Sequence, residues 1–111
     1  CMSMFEETEC YKKLQEMEKA TPKQLLSMSS AFRMEINVAI REAFIDVMAN
    51  LEKCCPALTN DDLFYCVLSL MHCSNRVIIE LMNVSSDALK MRKSRIKGKL
   101  REDIFKYIYW D

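Results

Sequence analysis

The sequence predicts an all-α fold: an N-terminal helical segment followed by a four-helix module built around a helix-turn-helix. Three observations carry this. One Gly and two Pro in 111 residues leave too few turn-formers for a β-rich chain. Apolar residues recur at i, i+3, i+4 and i+7 in several windows, the period of a helix with one buried face. Ser, Thr and Asn stand just ahead of those windows, where helices find their caps. Half of the residues are apolar, enough for one compact core at this length.

The first helix is read over residues 3–19, with Cys10, Leu14 and Met17 on its apolar face. Thr21-Pro22 breaks it, because proline lacks a backbone donor and restricts the residue before it. A second stretch starts near Ser29-Ser30, either of which can cap it, and runs to Lys53. Phe32, Ile36, Ile40, Ala43 and Val47 share one face, while Met34, Ile45, Met48 and Leu51 widen it. That breadth predicts burial on more than one side, and the length predicts a kink near Ala43-Phe44. Cys55-Pro56 ends the stretch.

Thr59-Asn-Asp-Asp62 matches a capping box with acids at the positive helix end. Leu63, Cys66, Val67 and Leu70 follow at helical spacing. Ser74 caps a short helix burying Ile78, Leu81 and Met82. Asn83 tolerates the left-handed conformation that ends helices, and Ser85 caps the helix after it. A last amphipathic piece, Glu102 to Tyr109, offers Ile104, Phe105 and Ile108 to a core or a partner. The division falls at Pro56 to Leu58. Residues 1–57 form amphipathic helices for linking, dimerisation or signalling, and residues 58–111 form the helix-turn-helix domain.

Net charge is zero, yet the charges are unevenly placed. The first sixty residues hold nine acids and seven bases, whereas Lys90 to Arg101 holds seven bases and no acid. Such a run repels itself and calls for an anionic compensator, since solvated faces usually interleave Glu with Lys. Leu89, Ile96 and Leu100 mark the inward side of this helix. Asp87, Lys90, Met91, Ser94, Arg95, Gly98 and Arg101 face out, while Arg92, Lys93, Lys97 and Lys99 flank the buried stripe. The outward face suits a DNA major groove: cations for guanine edges or phosphates, Met91 for thymine methyls, Gly98 for close backbone approach.

Other chemistries find little support. The chain has no Gly-rich phosphate loop, and its one His, His72, stands beside Cys73 without a partner for a catalytic triad. No enzyme, cofactor or small-molecule substrate is expected. Six cysteines include no Cys-x-x-Cys pair, so no metal site is expected and reduced thiols in a cytoplasmic protein are the better reading. No run approaches the ~20 apolar residues of a membrane span. The start at Cys1 suggests the C-terminal effector part of a longer regulator, with any anchor upstream.

The segment Leu58 to Leu100 resembles the helix-turn-helix domain of LuxR/GerE-type response regulators. The matching residues are Leu58-Thr59, Ser74-Asn75-Arg76, Ile78, Leu81, Asn83-Val84-Ser85, Ala88-Leu89 and Ile96-Lys97-Gly98-Lys99-Leu100. With Cys10-Tyr11-Lys12-Lys13-Leu14 ahead of it, the chain is also similar to the C-terminal region of Bacteroidetes transcriptional regulators, which often carry tetratricopeptide repeats, a membrane helix and a coiled coil upstream. It departs from the family at four places. His72-Cys73 stands where the family has Gly-aromatic, Val77 where it has an acid, Ile79 where it has a small residue, and Ala88 where it has Thr or Ser.

The resemblance implies sequence-specific binding of double-stranded DNA for transcriptional regulation. It places Lys90, Met91 and Ser94 on base edges, in agreement with the outward face derived above. Phosphate contacts would come from Asn75, Arg76, Lys93, Arg95 and Lys97, and a homodimer would form through Ile104, Phe105 and Ile108. The alternative is a helical interaction or dimerisation module whose degenerate helix-turn-helix no longer binds DNA. Patches such as Phe32-Ile36-Ile40 and Phe105-Ile108-Tyr109-Trp110 could equally be core or partner surface.

Overall fold

The computed structural model describes Met4, Glu6 and residues 8–99. Among these residues the fold is all-helical, with seven helices and no strand. They are α1 (Glu9–Lys19), α2 (Pro22–Ser27), α3 (Ser30–Ala43), α4 (Ile45–Cys54), α5 (Asn60–Leu70), α6 (Asn75–Met82) and α7 (Ser86–Lys99). None of these helices is long and apolar enough to cross a membrane. The piece expected over Glu102 to Tyr109, with Ile104, Phe105 and Ile108, lies outside the described residues, as do Leu100 and Arg101.

The chain forms two compact units, one reaching to Phe44 and one starting at Ile45. The sequence places the division later, at Pro56 to Leu58. The difference is α4, which packs on α5 and buries Met48 within the second unit. Where a kink is expected, at Ala43-Phe44, α3 ends and α4 begins as a separate helix. Phe44 leaves the helical conformation (φ −112, ψ 24) and is itself buried.

In the first unit α1 packs on α3 through Leu14, Met17, Ile36 and Ile40, all at most 3% exposed. Lys13 bridges to Glu35 across that seam, and the Cys10 thiol donates to the Ile36 carbonyl. Thr21-Pro22 does end α1, but it also opens α2, a helix the sequence reading lacks. Thr21 accepts from the Gln24 N–H, the Gln24 side chain accepts from the Thr21 N–H, and Pro22 occupies the first helical position. Proline is harmless there, since that N–H has no helical partner anyway. Ser29 rather than Ser30 caps α3. Of the residues that widen the stripe, Met48 is buried, whereas Met34 is 62% and Ile45 65% exposed among the described residues.

The second unit is built around α5. Every residue from Asp62 to Ser69 is buried, so Phe64, Tyr65 and Leu68 join the expected Leu63, Cys66 and Val67. A helix apolar on most sides belongs in the middle of its neighbours, here α4 and α6. Burial and the nearby Asp62 charge push the Cys66 thiol up to about 12, so it stays protonated and packs as a small hydrophobe. All five described cysteines are free thiols.

Candidate nucleic-acid interface

The two turns that orient α6 and α7 both rest on a left-handed residue. At the end of α5, His72 adopts φ 61 while its N–H donates to the Ser69 carbonyl and the Cys73 N–H donates to Leu68. This is the paired closing pattern in which glycine is usual. Histidine here takes up the backbone conformation that glycine would allow. At the end of α6, Asn83 (φ 54, ψ 52) and Val84 direct their N–H groups to the Ile79 carbonyl. Asparagine visits this conformation at low cost. Ser74 accepts from the Val77 N–H and Ser85 from the Ala88 N–H, so each helix starts where its serine stands. Val77, in place of an acid, is fully buried and contributes packing.

On α7, Leu89 and Ile96 are buried, while Asp87, Lys90, Met91, Ser94, Arg95, Lys97 and Gly98 are exposed. Met91 is 66% exposed. The two flanks of the buried stripe, which the sequence treats alike, have different roles in the structure.

One flank is held inside. Asp62 is 1% exposed, and its carboxylate accepts from Arg92 Nη1 at 2.8 Å on Oδ1 and from Lys99 Nζ at 3.0 Å on Oδ2. Oδ2 also accepts the Thr59 N–H at 3.0 Å, closing the capping box of α5. Burial works to raise the Asp62 pKa. The Thr59 backbone bond and the Lys99 ammonium outweigh it and hold the carboxyl below its usual range. The Cys55 thiol donates to the Lys99 carbonyl, so the chain end of α7 is tied on the same side.

This corrects one expectation. The compensator that the basic run needs is partly internal, because Asp62 pairs with Arg92 and Lys99 and cancels one of their two charges. Sequence reading assigned Asp62 to the cap alone. The available signal was that Arg92 and Lys99 lie seven residues apart, hence on one side of the helix, next to the buried stripe. Nothing local to them points to an acid thirty residues away.

The other flank faces α6. A groove of about 270 Å³ between α6 and α7 is lined by Asn75, Lys90, Lys93, Ser94 and Lys97, with Ile79 and Leu89 among its apolar walls. Five of the eight residues expected at DNA therefore share one concave surface. Met91 and Arg95 are exposed beyond its rim, and Arg76 is half-buried in the first turn of α6. Among the described residues neither Lys90 nor Arg95 takes part in an ion pair. No described group of three or more His, Cys, Asp or Glu side chains is placed to hold a metal. Comparison of the chain with protein-family models, with curated proteins and with solved structures returns no match.

Proposed function

We propose that the second unit binds double-stranded DNA, with α7 in the major groove, as the effector part of a transcriptional regulator. Lys90, Met91 and Ser94 face base edges. Asn75 and Arg76 in the first turn of α6, with Lys93, Arg95 and Lys97 on α7, meet phosphates on either side. The observation that carries this is the sorting of charge on α7. Asp62 holds Arg92 and Lys99 on one flank, while Lys90, Lys93 and Lys97 line the groove beside the first turn of α6. Three lysines lining one concave face concentrate positive charge where a polyanion can approach.

The N-terminal residues of a second helix reading the groove, with the preceding helix bracing it on the backbone, is the docking geometry such a pair permits. Homodimerisation fits a paired half-site and belongs to the same proposal. The expected interface residues Ile104, Phe105 and Ile108 lie outside the described residues. A second reading has one observation in its favour. Leu26, Met34 and Val38 of the first unit are 74%, 62% and 44% exposed, as a protein-contact surface would be.

The test is titration of the chain with duplex DNA against the Lys90→Glu/Arg95→Glu variant, with circular dichroism as a check on folding. Both positions are exposed, so the variant folds and loses duplex binding. Equal affinity of the two proteins would remove the proposal and leave the protein-contact reading. Four described cations stand at the proposed phosphate contacts (Arg76, Lys93, Arg95 and Lys97). If each neutralises one phosphate, log affinity falls with log salt at a slope of roughly −3.6.

A further inference from the structure

The carboxylate that caps α5 also holds the far side of the basic helix, and this bears on what α7 presents to a polyanion. Arg92 and Lys99 project from one side of α7, seven residues apart, and each takes one oxygen of Asp62. The carboxylate cannot follow α7 if the helix turns about its axis, because Oδ2 is also bonded to the Thr59 N–H at the start of α5. A rotation by one residue position, about 100°, would break both ion pairs and lift Leu89 and Ile96 out of the core.

We infer that Asp62 is a positioning residue for the DNA-facing surface: it fixes the roll of α7 and keeps Arg92 and Lys99 out of that helix's phosphate-neutralising charge. The inference rests on the DNA reading above. Its consequence concerns selectivity. Phosphate contacts attract DNA regardless of sequence, whereas base contacts discriminate. Arg92 and Lys99 carry long stems, 16% and 28% exposed, that could swing toward a bound backbone once released. Their withdrawal keeps sequence-independent attraction low and leaves Lys90, Met91 and Ser94 to decide affinity.

The experiment measures affinity for a random duplex and for a duplex enriched from a random pool, across about 50 to 200 mM salt. The proteins are the full chain, Asp62→Asn, Asp62→Glu and Arg92→Met. Acetylation of the Lys99 amine, read by mass spectrometry, reports the Asp62 contact without DNA. Asp62→Asn is expected to expose Lys99 to acetylation and tighten binding to the random duplex at low salt. It should steepen the salt slope by up to about 1.8, two further phosphates, and lower the ratio of enriched to random affinity. Asp62→Glu restores the original slope and ratio, and Arg92→Met matches the wild-type slope because Arg92 meets no phosphate.

An unchanged slope and ratio in folded Asp62→Asn overturns the inference while leaving DNA binding intact. Should Asp62→Asn fail to fold, Arg92→Met decides. A slope shallower by about 0.9 in that variant would show Arg92 already on DNA and overturn the inference. Absence of duplex binding by the wild-type chain removes the DNA reading and this inference together, and a protected Lys99 would then mark Asp62 as structural only.

Discussion

Arg92 Nη1 lies 2.8 Å from Oδ1 of Asp62, a carboxylate with 1% of its surface exposed. A guanidinium from α7 thus meets an acid in the first turn of the helix at the centre of the unit, and Lys99 joins it from two turns further on. Removing the acid would strand two partly buried cations. Asp62→Ala is therefore expected to lose about 3–5 kcal/mol of stability, the lost cap contributing about 1 kcal/mol of it. Urea unfolding followed by circular dichroism measures this. A loss below about 1 kcal/mol would mean that solvent relieves both cations at little cost, since most exposed pairs contribute no more than that.

The same group sets an acid limit. The folded Asp62 pKa lies below its ordinary value, so the unfolded chain takes up its proton first as pH falls. The stabilisation is complete above the unfolded value of about 3.9 and is lost as pH drops through the folded value. Stability of the wild-type chain should therefore decline below about pH 4 more steeply than that of Asp62→Asn, which has no proton to gain there. Parallel unfolding curves for the two proteins between about pH 5 and pH 2.5 would assign the acid sensitivity elsewhere.

The two left-handed turns make opposite predictions for glycine. His72 holds φ 61 with a side chain that disfavours it, so His72→Gly should raise stability by about 1 kcal/mol. Asn83 holds φ 54 at lower cost, so Asn83→Gly should change stability by only a few tenths, whereas Asn83→Ala should cost about 1 kcal/mol. Melting temperatures of the three variants rank them directly. If His72→Gly proves destabilising, the histidine side chain contributes more to the turn than its backbone conformation costs.

These two turns show what the sequence makes legible. Asn83-Val84-Ser85 announces itself, because asparagine and serine have local reasons to sit at a helix end and a helix start. The same holds for Thr59, Ser74 and Ser29, whose hydroxyls bond to N–H groups three residues on. His72 carries no such signal, since nothing in its chemistry asks for a left-handed backbone. The α2 helix was open to the same capping logic, Thr21-Pro-Lys-Gln24 being a box, but proline reads more readily as an end than as a beginning. Asp62 is the harder case. Its role as a cap is local and readable, while its pairing with Arg92 and Lys99 depends on how α5 and α7 pack. Periodicity gives the face of a helix, not the neighbour that face meets. Inward and outward sides of α7 were therefore readable, and the difference between its two flanks was not.

Gly98 separates folding from binding. It is the chain's one glycine and lies inside α7 with a negative φ, where glycine is a poor helix former. A Cβ built there meets nothing within 4 Å, so the protein itself has no steric need for glycine. Gly98→Ala should stabilise the second unit by up to about 1 kcal/mol, less if the end of α7 frays. Binding should respond the other way. Gly98 sits on the outward side with Met91 and Ser94, and a methyl group there would stand between the helix backbone and a closely approaching duplex. Weaker duplex binding by a more stable Gly98→Ala protein, at unchanged salt slope, is the expected pair of results. The slope is the informative part, since the methyl removes no charge. A variant that is more stable and binds equally well would place the duplex nearer the α6 flank, over Lys93 and Lys97, and away from Gly98.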